Sequence, residues 1–124
     1  MALRTYIVED QISVRQGLTD MLYAYADADI LGWSDSESRG VAELAALGAS
    51  WDVVLVDLAL AEGSGVGILK ACRTRHPHQK VIVLTNYATT ISRDACLAKG
   101  ADRVFDKTTE LEAMLDYLGG LIEN

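Results

Sequence analysis

Positive charge, cysteine and long apolar runs are what this 124-residue chain has least of, and each shortage removes a class of function. Eleven Lys and Arg stand against 18 Asp and Glu, a formal net charge of −7. Nucleic-acid binding draws its affinity from cations that neutralise phosphate, so this balance argues against a direct nucleic-acid partner and favours a bound cation or a basic partner surface. The two cysteines, Cys72 and Cys96, lie within predicted helices without metal-ligand spacing and read as reduced core thiols of a cytoplasmic protein. No apolar run approaches a membrane span, and Met1-Ala2-Leu3-Arg4 passes straight into a strand instead of a signal peptide, so no membrane role is expected. Internal repeats and low-complexity tracts are missing too. What is present is a half-hydrophobic, 23% charged composition, which fits one globular domain over residues 1–124.

The chain is organised around Trp51 to Gly67. Trp51-Asp52-Val53-Val54-Leu55-Val56 is a β-branched, almost wholly apolar run that suits a strand buried on both faces of a parallel sheet. It ends in Asp57 and empties into a loop, 58–65, rich in small residues and expected to be mobile, before helical spacing resumes near Val66. A lone strand-end aspartate more often caps a turn than performs chemistry. Here the same pattern recurs elsewhere.

Leu3 to Val8 reads as the first strand and also ends in acid, Glu9 and Asp10. Ser13 and Gln16 have capping-box spacing for a helix whose Val14, Leu18, Met21, Leu22 and Tyr25 form a core stripe. Ile30 to Trp33 makes a second strand, and the polar residues 34–38 offer caps to a helix carrying Val41, Leu44 and Leu47, closed by Gly48. Val66, Ile68, Leu69 and Cys72 carry the third helix to Arg73. His76 and His78, flanking Pro77, read as solvated surface, since no carboxylate or thiol stands beside them at ligand spacing. Val81 to Leu84 is the fourth strand and ends in Thr85. The following helix, from about Thr89 to Lys99, has little to bury and is expected to move cheaply, with Gly100 as its left-handed cap. Arg103 to Asp106 is the fifth strand, followed at once by Lys107. Thr109 and Glu112 are spaced as a capping box for a last helix lined by Leu111, Met114, Leu115, Leu118, Leu121 and Ile122, with Gly119-Gly120 weakening its final turn.

Five strands alternating with five helices call for one parallel sheet with helices on both faces, joined by right-handed crossovers. The carboxyl ends of parallel strands share one edge, so Glu9, Asp10, Asp57, Thr85 and Lys107 should meet there. Crowded carboxylates need a cation. A hard divalent ion with oxygen ligands, Mg²⁺, is the natural occupant, while a lysine and a hydroxyl at the same edge would receive an oxyanion. Metal, carboxylate nucleophile, lysine and hydroxyl are the parts required for phosphoryl transfer to an aspartate.

Taken in order, Glu9-Asp10, Asp57 with the glycines that follow, Thr85, Phe105 and Lys107 make the chain resemble the receiver domain of two-component response regulators over essentially its whole length. The resemblance implies a doubly wound, flavodoxin-like fold. It also implies that Asp57 accepts a phosphoryl group from a phosphohistidine on a sensor histidine kinase or a histidine phosphotransfer protein. Mg²⁺ would be held by Glu9, Asp10, Asp57 and the backbone carbonyl of Ala59. Lys107 and Thr85 would engage phosphoryl oxygens, and Phe105 would turn inward, changing the face of the fourth helix, fifth strand and fifth helix for a downstream protein. Ala59 and Tyr87 fall at positions that influence phosphate lifetime. Three positions depart from the family habit: Glu9 for the commoner aspartate, Ala61 for a frequent proline, and Thr108 where many receivers place a proline in a cis peptide.

The expectation is therefore a stand-alone phosphoacceptor signalling module rather than an enzyme, with no output domain after Asn124, no nucleic acid and no membrane as direct partners, and with a homodimer left open. Two alternatives stand beside it: an interaction module that keeps the fold without the switch, and a receiver cut from a longer DNA-binding regulator. A phosphatase with an aspartate nucleophile typically needs a second acid two residues on, where this chain has Ala59. A flavin phosphate would be repelled by Glu9 and Asp10 after the first strand.

Overall fold

The computed structural model describes residues 2–86 and 88–123. Five strands, β1 (Leu3–Val8), β2 (Ala28–Ser34), β3 (Val53–Asp57), β4 (Lys80–Thr85) and β5 (Arg103–Asp106), alternate with α1 (Ile12–Tyr25), α2 (Glu37–Leu47), α3 (Gly65–Ala71), α4 (Thr90–Ala98) and α5 (Leu111–Glu123). A short 3₁₀ turn, Gly48–Ser50, precedes β3. All four strand pairings are parallel and the sheet order is β2-β1-β3-β4-β5, so the expected doubly wound α/β architecture is present.

Side-chain alternation along the central strands divides the core in two. Val54, Val56, Val81 and Val83 face one layer with Tyr6, Ile68, Leu69 and Trp51. Val53, Leu55, Ile82 and Leu84 face the other with Leu18, Leu22, Phe105, Met114 and Leu118. A strand buried on both faces cannot alternate apolar with polar, which is why β3 and β4 read as continuous apolar runs.

Helix ends differ from expectation in instructive ways. α1 starts at Ile12 after Gln11, whose side chain makes no cap bond, so Ser13 lies inside the first turn and the Ser13–Gln16 capping box does not form. Of the α1 stripe, Leu18 and Leu22 are buried, whereas Tyr25 is 74% exposed. Ser36, Ser64 and Thr89 cap α2, α3 and α4 through their side-chain oxygens, and Gly48 and Gly100 take positive φ as expected. At α5 the turn is closed by Asp106, which accepts from Thr108 and Thr109 backbone N–H groups, and by Glu110, which accepts from Asp106 N at 2.9 Å. These bonds order the turn that leads into α5. The Gly119-Gly120 step sits within an α5 that continues to Glu123.

The loop after Asp57 is tied rather than loose. Glu37, in the first turn of α2, accepts from Ser64 N at 2.9 Å while its own N–H donates to Glu62 O, and Gly65 N donates to Leu58 O. His76 and His78 are exposed, as expected. Cys72 and Cys96 are buried free thiols, and burial pushes both pKa values up, keeping them protonated.

Candidate functional site

Because the sheet is parallel, the carboxyl ends of β1, β3, β4 and β5 lie along one edge. Glu9 and Asp10 follow β1, Asp57 closes β3, Thr85 closes β4 and Lys107 follows β5. Register keeps them level, with Asp57 beside Leu84 and Thr85 beside Asp106. A cavity of about 320 Å³ opens there, lined by Asp10, Asp57, Ala59, Ala61, Thr85 and Lys107 among others. Five of the expected site residues thus line one space. Glu9 lies beneath it, 1% exposed.

The electrostatics follow from that burial. Carboxylate oxygens of Glu9, Asp10 and Asp57 all lie within 4.8 Å of one another. Lys107 Nζ is 2.5 Å from Glu9 Oε1 and 3.0 Å from Asp57 Oδ2, bridging the two. The second oxygen of each acid accepts a backbone N–H two residues on, Gln11 for Glu9 and Ala59 for Asp57, each at 3.2 Å. Burial pushes Glu9 above the ordinary carboxylate range against the opposing bonds from Lys107 and Gln11, and the charge of Asp57 adds to the rise. For Lys107 burial works against the charged form, but the bonds and charges of Glu9 and Asp57 outweigh it and its pKa is raised. Three acids against one ammonium leave an excess of negative charge that a divalent ion would match, and an all-oxygen donor set is what Mg²⁺ prefers.

Thr85 is half-buried at the cavity wall, and its carbonyl accepts from Lys107 N at 2.9 Å. Phe105 is buried in the α1/α5 layer, its ring centroid 6.2 Å from that of Tyr117. The Lys107–Thr108 peptide is trans. Tyr87 lies outside the described residues.

The sequence matches the family model of the response regulator receiver domain over residues 5–119. The chain belongs to that family. Relatives include the DNA-binding transcriptional activator DevR/DosR of Mycobacterium tuberculosis, 31% identical over 97 residues that cover 77% of this chain and 44% of the relative. The transcriptional regulatory protein LiaR of Bacillus subtilis is 28% identical over 116 residues, covering 94% of this chain and 54% of that protein. This receiver domain therefore spans about half the length of the curated relatives it matches. Among solved structures, the response regulator domain of Thermotoga maritima CheB superimposes with a TM-score of 0.83 at 18% identity, covering 100% of this chain and 98% of that one, which shows the shared fold.

Three polar residues of the receiver domain escaped sequence reasoning. Glu37 anchors the loop that carries Ala59. Arg93 donates to Ala88 O at 2.9 Å and Val104 O at 3.1 Å and pairs with Glu110, so α4 is held to β5 and the α5 entry by polar bonds as well as by Cys96. Arg15, 9% exposed, donates to Glu9 O at 3.0 Å. Arg15 stands next to Val14 and three residues before Leu18 of the apolar stripe, a placement that could have drawn notice; the other two carry no such signal.

Proposed function

We propose that this receiver domain accepts a phosphoryl group on Asp57 from a phosphohistidine of a sensor histidine kinase or histidine phosphotransfer protein, in a Mg²⁺-dependent reaction, and signals through a changed protein-binding face. The observation that carries the reading is the convergence of Asp57 with Glu9, Asp10 and Lys107 at a cavity open to solvent. Glu9, Asp10, Asp57 and the carbonyl of Ala59 would hold the ion. Bound there, Mg²⁺ would supply positive charge to the phosphoryl oxygens during transfer.

The rest of the chemistry belongs to the chain. An oxygen of Asp57 attacks phosphorus, the bond to the donor imidazole nitrogen breaks, and the product is an acyl phosphate on Asp57 with the imidazole released. Ala59 N, already donating to Asp57 Oδ1, orients the carboxylate. Lys107 leaves its place between Glu9 and Asp57 to pair with a phosphoryl oxygen, and the Thr85 hydroxyl donates to another. Phe105 and the α4-β5-α5 face then transmit the state to a downstream protein. The domain acts as a phosphoacceptor in the cytoplasm, and any enzymatic character is confined to its own transfer and hydrolysis.

A second reading is favoured by the length of the relatives and by their being transcriptional regulators: the receiver belongs to a longer regulator in which a separate part contacts DNA. The net charge of −7 supports a DNA contact made by a part other than this domain.

Intact mass spectrometry after incubation with Mg²⁺ and acetyl phosphate, beside Asp57→Ala, tests the proposal. One phosphoryl adduct that requires Mg²⁺ and is lost in the variant is expected. Failure of both acetyl phosphate and a phosphohistidine donor to modify Asp57, together with no Mg²⁺ binding, would move the assignment to a phosphorylation-independent interaction module.

A further inference from the structure

Arg15 is a buried charge that the phosphoacceptor chemistry above does not use. It lies on α1, 9% exposed, and among the described residues no carboxylate is ion-paired with it. A buried guanidinium needs other compensation. It has two sources: Nη1 donates to the main-chain carbonyl of Glu9 at 3.0 Å, and the group stacks on Trp33 of β2, its carbon 3.5 Å from the ring centroid. Trp33 is 42% exposed, so its ring shields the guanidinium from solvent on one side at the cost of leaving its own outer surface wet. Arg39 lies 5.6 Å from the same ring.

The other main-chain group of Glu9 is fixed as well, since its N–H donates to Ser34 O at 3.0 Å. Ser34 ends β2 next to Trp33. Both peptide groups flanking the Glu9 Cα are therefore gripped, one by the edge strand and one by Arg15. Glu9 stands just past the end of β1, where the ladder with β3, last paired at Val8 and Val56, no longer determines its direction. The grip supplies what the ladder does not.

We propose that Arg15, stacked on Trp33, is a positioning residue that aims the Glu9 carboxylate at Lys107 and the metal-binding position. The inference rests on the proposed Mg²⁺ site. Its consequence is an order of dependence: Trp33 covers the Arg15 guanidinium, Arg15 holds the Glu9 carbonyl, and that carbonyl fixes the chain from which the carboxylate reaches Lys107 Nζ and Gln11 N.

The test compares Arg15→Met, Arg15→Lys and Trp33→Phe with wild type, after circular dichroism confirms folding. In metal-free protein, Arg15→Met should raise amide exchange at Gln11 at least tenfold and shift the Glu9 and Gln11 amide resonances, with Trp33→Phe, which keeps an aromatic face, much closer to wild type. A helix-packing role alone would move amides across α1 and leave residues 9–11 unchanged, which would overturn the proposal. Calorimetric titration should show Mg²⁺ affinity falling at least fivefold in Arg15→Met, with partial recovery in Arg15→Lys, whose ammonium can reach the carbonyl but cannot stack as a plane. Affinity within twofold of wild type, or tighter, would also overturn it, the latter because Arg15 would then act only as a repelling charge. If wild type binds no Mg²⁺, the function proposed above fails, and the exchange at Gln11 still decides whether Arg15 grips Glu9.

Discussion

Gly65 packs against the main chain of Asp57 so closely that a Cβ on residue 65 would lie 2.3 Å from the Asp57 carbonyl oxygen. Real side chains never approach backbone to that distance, so the first residue of α3 is glycine because the end of β3 occupies the space. Gly65→Ala should push β3 and α3 apart and cost about 2 kcal/mol by overpacking. Urea denaturation reads the loss. Phosphoryl acceptance should fall with it, since Ala59 and Asp57 are on the displaced segment.

Lys107 is the cation that makes Glu9 and Asp57 tolerable together. Lys107→Ala strands two buried carboxylates and should destabilise the metal-free protein by about 3 kcal/mol. Mg²⁺ should restore much of the loss, giving the variant a larger Mg²⁺-dependent rise in Tm than wild type. The same variant should still accept phosphate on Asp57 while losing the affinity gain for its protein partner. Wild-type partner binding by the phosphorylated variant would show that the signal leaves the site by another route.

Arg93 sets how firmly α4 is held. Removing its bonds to Ala88, Val104 and Glu110 through Arg93→Ala should cost roughly 1 to 2 kcal/mol locally. Hydrogen exchange across Thr90–Ala98 should quicken relative to β4, whose strand is buried throughout its centre.

Asp106 carries a pH dependence of known sign. The Thr108 hydroxyl and the Thr108 and Thr109 N–H groups, all donating to its carboxylate, lower its pKa to about 2, whereas an unfolded aspartate titrates near 3.9. The folded group is the stronger acid, so its contribution is fully present above about pH 4 and is lost as pH falls toward 2. Asp106→Asn should flatten the stability profile in that window, as read by chemical denaturation at successive pH values.

Trp51 should stay silent. It is buried just before β3, and six residues at about 3.3 Å each put roughly 20 Å between it and Asp57. Mg²⁺ should leave its emission unchanged in Trp33→Phe, where it is the remaining tryptophan. A strong quench there would require a structural change running the length of the strand.

The strands and the residues at their ends were readable in the sequence because both signals are local. A doubly buried strand must be a short apolar run, and an acid, hydroxyl or lysine that ends one is brought to the edge by parallel topology alone. Hence Glu9, Asp57, Thr85 and Lys107 could be placed together without coordinates. The expected looseness of residues 58–65 was overturned by Glu37, which acts across 27 residues. Arg93 reaches Glu110 across 17 and Arg15 reaches back 6. Long polar side chains that seek backbone acceptors leave no period in a sequence, and a capping pattern such as Ser13–Gln16 can be displaced by one residue of helix start.

The bridge from Lys107 to Glu9 joins residues 98 apart in a chain of 124. During synthesis the acid pair emerges early and waits for its ammonium until β5 has been made and docked on β4. A chain that stops short of β5 cannot assemble the set, because Lys107 follows β5 and meets the acids only once that strand is paired with β4. Under the function proposed, transmission of the phosphoryl signal through Lys107 would therefore also report that the fifth strand has docked.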